Sequence, residues 1–404
     1  MDLCIITIQA EVSGTIGGVS THVKELSNIL KKYGHRVVVI CPSHPEYPDR
    51  DYQEIFDDVL YFCIGKTSLE TKTAILNQAS IDIFAKLRQK YDFKLIFSEG
   101  IAAQGIIRSS HFGDIPSFCF LHNFGVTHFY NILKEVDSFT SLLYYSCITI
   151  PRLIVRILKD EIPTYKACST VLSCSTHNAM RLRKFYRVRE RSILLIPNWI
   201  NTVEFAPNPE SRELGRKHWN LQSNSLVFLL VGSLYLPKGF QVAIKSFGKF
   251  LKNNGDAVLL IAGNGRHKND LKYLASKLGL IDGHHIRFLG EVHRSKLPLL
   301  YNAADIFLMP SLFLEVLPYT LLEAMSCGLP FIGSRLGGVR EAAGDVGILI
   351  RPGDHRAMAE AMADLARNHE KRKNLGSLGR KRVEKLFSQK ATFPVIHQLM
   401  QRLT

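Results

Sequence analysis

Two stretches of the chain repeat one arrangement of apolar and polar positions: a short apolar run, a loop, a segment with helical spacing, then another apolar run. In the first, DLCIITI leads through a glycine loop to HVKELSNILKKYG and then RVVVICP. In the second, LVFLLVGSL leads through PKG to VAIKSFGKFLKN and then AVLLIAGNG. The second half goes on with NDLKYLASKLG and KLPLLYNAA as helices, HIRFLGEV and DIFLMPS as strands, the helix PYTLLEAMSCG, and the strands PFIGS and GILI. Short apolar strands, each followed by a loop and an amphipathic helix, predict parallel sheets covered by helices on both faces. The fold class read here is α/β, with two doubly wound domains. The segment Ile196–Glu210 loses periodicity and is rich in Pro and Asn, which marks a joint. The expected division is therefore 1–200 and 201–387, and the last helix, 388–404, is expected to cross back to the first domain.

A length of 404 residues is too great for one core, and 46% apolar with 22% charged is the balance of an ordinary globular protein. No run approaches the roughly 18 apolar residues of a membrane-spanning helix. The N-terminus has no basic region and reads as a first strand, so a cytoplasmic protein is expected, free or docked at the inner face of a membrane. The 8 cysteines are scattered singly, with neither CxxC nor zinc spacing, which fits reduced thiols. The net charge of +15 is unevenly spread: residues 1–150 hold 13 Lys/Arg against 16 Asp/Glu, whereas 151–191 hold 10 against 3. A second basic stretch runs from Arg367 to Lys385. Such patches suit a phosphate-bearing ligand, an anionic membrane or nucleic acid, and equally a solvated helix face. Nucleic acid is not expected, because no aromatic residues are interleaved to stack on bases.

Ligands of open parallel sheets bind outside the carboxyl ends of strands. Three features fall there. Gly232 and Ser233 close one strand, with Lys238 placed at a following helix start to meet a diphosphate. Gly263 ends the next strand in IAGNGR, beside Arg266. Glu315 and Glu323 sit in the apolar segment SLFLEVLPYTLLEAMSCGLPFIGS. Pro318 suits the first position of a helix, leaving the N–H groups of Tyr319, Thr320 and Leu321 to face a phosphate. A carboxylate near a helix start can also grip a sugar diol. In the first half, Gly17 and Gly18 lie in the strand–helix loop Thr15–Val19, which matches neither a dinucleotide nor an ATP motif.

The stretch PSLFLEVLPYTLLEAMSCGLPFIGSRLGGVRE resembles the signature of retaining GT-B glycosyltransferases of family 4. GGVSTHVKELSNILKKYGHRVVVICP, IPNWINTVEFAP, VGSLYLPKGFQVAIKSF, IAGNGRHKNDLKYLASKLG and the terminal LFS continue that resemblance in order. It implies two Rossmann-like domains facing a cleft. It assigns Glu323 to ribose hydroxyls, Glu315 to the donor sugar or its diphosphate, Lys238 to the diphosphate and Gly18 to a donor phosphate. His122, in FLHNFG, is assigned to the donor sugar or acceptor, and Leu317 to Thr320 to the donor site. This chain departs from the pattern in three places. Val316-Leu317-Pro318 replaces Gly-Phe-Gly, Ser233 replaces an arginine for which Arg266 or Arg340 can compensate, and Trp199 replaces glycine.

The resemblance implies hexosyl transfer with retention, from a UDP- or GDP-linked sugar to a hydroxyl of a lipid-linked or glycan acceptor, with no cofactor. The leaving diphosphate needs charge stabilisation, which helix N–H groups and Lys238 supply. No metal is expected, since the only Asp-x-Asp, Asp49-Arg50-Asp51, lies in a polar, proline-rich stretch. Phe139–Lys159, apolar and then basic, is the candidate contact with an anionic membrane surface. The rival readings are a nucleotide-sugar epimerase or other enzyme on the same fold, and a non-catalytic partner subunit.

Overall fold

The structure, a computed structural model, describes residues 1–14, 17–46, 51–65, 72–110, 112, 114–122, 125, 145–254 and 257–404. Thr15 and Ile16 of the glycine loop, Asp49-Arg50 and the start of the Phe139–Lys159 stretch lie outside them. The chain divides into two compact units: Met1–Asn198 with Thr392–Thr404, and Trp199–Ala391.

The first unit is built on strands β1 (Asp2–Ile6), β2 (Arg36–Pro42), β3 (Tyr52–Phe56), β4 (Val59–Ile64), β5 (Phe93–Glu99), β6 (Ser117–Leu121), β7 (Thr170–Ser173) and β8 (Ile193–Leu195). They lie in the order β3-β4-β2-β1-β5-β6-β7-β8. Every neighbouring pair is parallel except the hairpin β3–β4. The apolar run at the N-terminus forms the sheet's centre because it is apolar on both faces: Leu3, Cys4, Ile5 and Ile6 are fully buried. From β1 the order runs outward through β2 on one side and β5 on the other. At such a reversal the crossover helices diverge, and a crevice opens beyond the strands' carboxyl ends.

The second unit carries β9 (Leu226–Val231), β10 (Ala257–Ala262), β11 (Ile286–Gly290), β12 (Ile306–Met309), β13 (Phe331–Ser334) and β14 (Ile348–Ile350). All are parallel, in the order β11-β10-β9-β12-β13-β14. Numbered from its own first strand this is 3-2-1-4-5-6, the doubly wound dinucleotide-fold order, with the reversal between β9 and β12. Its core lies on both sheet faces, with Phe228, Phe247 and Met362 in one layer and Leu229, Phe307 and Leu322 in the other. Trp199, where the resemblance leads one to expect glycine, is fully buried.

Caps follow the local sequence. Ser175 accepts from the Asn178 N–H at the start of the helix Thr176–Tyr186, and Asp354 accepts from Arg356 and Ala357. The last helix, Gln389–Leu403, belongs to the first unit from Thr392 onward, where Phe393 and His397 stack near Tyr33 at ring distances of 4.6 and 4.8 Å.

Candidate functional site

In the second unit the chain leaving β9 meets the chain leaving β12, the two strands that flank the reversal. Lys238 ends a short 3-10 turn, Leu236–Lys238, instead of starting a helix as expected; the helix Phe240–Asn254 follows Gly239. Gly239 holds φ at +77°, and a Cβ there would lie 1.9 Å from the Pro310 carbonyl oxygen, so only glycine fits. The Leu312 N–H donates to the Pro237 carbonyl at 2.8 Å, tying the two loops together. Lys238 is thereby brought to Glu315: Nζ lies 2.8 Å from Oε1, which also accepts from the Ser311 hydroxyl at 3.0 Å. The ammonium stands 5.1 Å from the centre of the Phe313 ring. The Glu315 side chain is 9% exposed and that of Lys238 27%, so the pair is reachable from solvent at its lysine end.

The loop after Glu315 is held from behind. The Gly338 N–H donates to the Glu315 carbonyl at 2.8 Å, and a Cβ on Gly338 would fall 1.6 Å from the Val316 oxygen. This close approach accounts for the Gly-Gly of RLGGVRE. Leu317 and Pro318 are buried, Leu317 within the hydrophobic core, so this segment presents backbone more than side chains. Pro318 is the residue before the helix Tyr319–Ser326, not its first residue, with ψ at 124°. Its carbonyl accepts from the N–H groups of both Leu321 and Leu322 (3.2 and 3.3 Å). The Leu321 N–H is thus turned inward and is not among the helix-start donors that face a ligand.

Glu323, on the same helix, is 2% exposed. The Tyr301 hydroxyl donates to its Oε2 at 2.7 Å and Arg294 Nη1 to its Oε1 at 3.2 Å. Burial raises its pKa, and Arg294 and Tyr301 oppose that shift. Arg294 itself lies over the Phe205 ring at 5.4 Å. Neither Arg294 nor Tyr301 was predicted, because they stand 29 and 22 residues from Glu323 and nothing in HRSKLPLLYNAA announces the contact.

The remaining predicted residues line the neighbouring strand ends. The Gly232 N–H donates to the Ala262 carbonyl and the Gly263 N–H to the Gly290 carbonyl (3.0 and 2.6 Å), so the exits of β9, β10 and β11 run side by side. Ser233 is exposed. Arg266 is also exposed, its guanidinium 4.6 Å from the Tyr235 ring centre, whereas Arg340 lies on the separate helix Gly337–Ala343.

In the first unit Gly18 opens the helix Gly18–Lys32, and Gly17 precedes it with its N–H bonded to the Ser20 hydroxyl at 3.0 Å. That N–H is engaged within the turn. At the reversal of this sheet, His122 follows β6 and meets Glu99, the last residue of β5: Nε2 lies 2.5 Å from Oε2. The other carboxylate oxygen is 2.9 Å from His22 Nδ1, on the helix after β1. Burial alone would lower the His122 pKa, but the Glu99 charge outweighs it and the value is pushed up to about 10. Burial would raise Glu99, yet the two imidazoles bring it down to about 2. His22, fully buried, is lowered by burial. The three donor atoms lie within 4.8 Å of one another, but their spacing is that of hydrogen bonds. An ion bound to all three at about 2.1 Å would spread them to roughly 3.4 Å.

Residues 16–204 match the description Glycosyltransferase Family 4 and residues 211–382 the description Glycosyl transferases group 1. Among solved structures, sucrose-phosphate synthase from Thermosynechococcus elongatus superposes with TM-score 0.80 at 22% identity, covering 100% of this chain and 98% of that one. HepE of Anabaena in complex with UDP-glucose gives 0.73 at 16%, covering 99% and 100%. Those likenesses define the GT-B class of fold. The chain belongs to the group 1 glycosyltransferases. The curated relatives include the Escherichia coli UDP-Gal:alpha-D-GlcNAc-diphosphoundecaprenol alpha-1,3-galactosyltransferase, 34% identical over 42% of this chain and 44% of its own. They also include the Mycolicibacterium smegmatis GDP-mannose-dependent alpha-(1-6)-phosphatidylinositol monomannoside mannosyltransferase, 30% identical over 46% and 50%. The chain spans about half the length of the curated relatives it matches.

Removing Arg294 leaves the Glu323 carboxylate buried without its cation. Arg294→Met is expected to cost about 3 kcal/mol in urea unfolding, and Arg294→Met with Glu323→Gln to recover most of that loss. A double variant no more stable than the single one would show that charge pairing is not what holds Arg294.

Proposed function

We propose that the chain transfers a hexosyl unit, with retention and without a metal, from a UDP- or GDP-linked sugar to a hydroxyl of a lipid-linked or glycan acceptor. The Lys238–Glu315 pair at the reversal between β9 and β12 carries this reading. Both relatives' names specify a nucleotide-linked sugar donor and an acceptor on a lipid.

In this reading the diphosphate takes the Lys238 ammonium from Glu315, since a doubly charged group outcompetes a single carboxylate for a partly exposed cation. The Thr320 N–H at the helix start and Arg266 on Tyr235 add to the stabilisation of the leaving charge, Arg266 standing in for the arginine replaced by Ser233. Glu315, relieved of its lysine, faces the transferred sugar. Glu323, whose orientation Arg294 and Tyr301 fix, accepts from ribose hydroxyls through its remaining lone pairs. His122 contributes from the first unit toward sugar or acceptor.

Thermal-shift measurements with UDP, GDP, ADP and their sugars identify the donor by mass action. With the best nucleoside diphosphate, Lys238→Ala should weaken binding about tenfold or more, the scale of one charged contact, whereas Glu315→Gln should bind it at least as tightly as the parent while losing transfer. Equal affinity of Lys238→Ala and the parent would sink the assignment. EDTA should leave the transfer rate unchanged; a loss restored by manganese would overturn the metal-free part.

The lipid side of the reading draws on an exposed apolar face in the first unit. Along Ile150–Arg156 and the π-helical turn Ile157–Glu161 that follows, Ile154, Val155 and Leu158 are 47–59% exposed, next to the exposed Arg152 and Lys159. Apolar side chains flanked by cations suit the boundary of an anionic bilayer. No helix among the described residues is long and apolar enough to cross one. Co-sedimentation with phosphatidylglycerol vesicles should exceed that with phosphatidylcholine several-fold and fall in Val155→Glu/Leu158→Glu. Equal binding to both vesicle types would remove the membrane from the proposal.

A further inference from the structure

The reversal in the first sheet is occupied by a group of which the reading above uses only His122. Doubly wound sheets bind ligands beyond the carboxyl ends of the two strands where the order turns, here β1 and β5. Glu99 closes β5, in register with Phe120 of β6, and His122 follows two residues further along that strand's exit. His22 comes from the helix after β1. The Glu99 carboxylate bridges the two imidazoles, one oxygen to each. The rings stand edge to face at 4.5 Å, packed on Phe120. His22 and Glu99 are fully enclosed, and His122 alone reaches solvent, at 13% of its side chain.

The chain just past His122 is also anchored. Both oxygens of the buried Glu161 accept from the Gly125 N–H (3.2 and 3.0 Å), and Arg156 lies 3.2 Å from the same carboxylate. The ring is held at one nitrogen by Glu99, and the backbone three residues further on by Glu161. With Nε2 committed to Glu99, a ligand reaches the ring through Nδ1 in place of Cys174, the ring's other hydrogen-bond partner. Cys174 is the further titratable group beside the ring, its thiol donating to the Leu121 carbonyl at 3.1 Å. A thiol sulfur is a weak acceptor that a ligand oxygen readily displaces.

We propose that Glu99, backed by His22, is a positioning residue that keeps His122 a standing imidazolium, so that His122 serves substrate as a charged hydrogen-bond donor and not as a base. This rests on the glycosyltransferase reading for its substrate but not for its charge state. A carboxylate enclosed with two imidazoles must be balanced, and one proton shared toward the more exposed ring makes the group neutral overall. The direction of the shifts agrees: Glu99 ionised, His22 neutral, His122 charged. The raised His122 value stabilises the fold fully below 6.5, and that contribution is lost as pH rises toward about 10. The lowered Glu99 value contributes above 4.5 and is lost as pH falls toward about 2.

The first test needs no activity. In 15N-histidine spectra of the full chain, with the His122 signals assigned by their loss in His122→Asn, His122 should stay doubly protonated through pH 8. In Glu99→Gln it should titrate near the ordinary histidine value of about 6.5. A His122 that is neutral at pH 7.5 in the parent overturns the proposal, whatever the protein catalyses. The second test uses the donor found by thermal shift. The parent's turnover should show no limb near pH 6.5, Glu99→Gln should lose kcat as pH rises through that value with KM for the donor little changed, and Glu99→Asp should restore the parent profile. If Glu99→Gln keeps the parent's pH profile although its His122 has lost the charge, the catalytic half of the proposal fails. If no nucleotide sugar is turned over while the spectra show the standing charge, the glycosyltransferase reading fails and the clamp stands.

Discussion

The order reversal in each parallel sheet constrains most of what this molecule does. Crossovers leave the central strand toward opposite faces, so a crevice opens beyond the carboxyl ends of β9 and β12, and of β1 and β5, and the chain leaving those strands lines it. A charge placed there is half withdrawn from water, so it needs a partner but can still exchange it. The two units fill that place differently. The second holds a lysine and a carboxylate joined by one contact, which a competing anion can separate. The first holds a carboxylate clasped on both sides by imidazoles, which nothing from solvent displaces without breaking two hydrogen bonds.

That difference in exchangeability also separates the two glutamates of the C-terminal segment. Glu315 meets a lysine with 27% of its side chain in water, and such a pair contributes little to stability because solvent screens it. Glu323 meets Arg294 and Tyr301 inside the unit, where losing one partner strands a charge. One site is built to rearrange and the other to stay. The proposed donor, with a diphosphate and a ribose, has need of both, a cation free to move and an acceptor held still.

The architecture was legible because apolar runs such as LVFLLV and AVLLIA have no polar face, which fits strands buried within a parallel sheet and little else. The meeting of Lys238 and Glu315 was legible because charges that follow such strands fall at one edge of the sheet. Glu99 obeys the same rule, closing the strand FKLIFSE, and His22 shares a helix face with Leu26 and Ile29, four and seven residues on, all buried. Both signals were present and passed over, since one carboxylate between Ser98 and Gly100 resembles any strand end. Arg294 and Tyr301 were not legible: their role exists only once the helix Leu297–Ala303 is packed near the helix Tyr319–Ser326. The turn at Lys238 and the position of Pro318 depend on backbone angles that residue type alone does not select.

The segment Val316-Leu317-Pro318 looked at first like a loss, since two glycines of the resembling pattern are missing. The packing shows where glycine is needed beside this loop: at Gly338, on the start of the helix Gly337–Ala343, which lets the Glu315 and Val316 carbonyls approach. The loop itself carries a proline at φ −73°, an angle that residue adopts without strain, and a leucine sunk into the core. A β-branched residue, a core anchor and a proline in sequence reduce the number of conformations available to the chain between the two glutamates. The replacement gives up adaptability and keeps the backbone path. Glu315 is consequently presented from a stiff ledge, and in the proposed reading discrimination among sugars falls to how each one fits a fixed carboxylate, not to how far the loop can follow it.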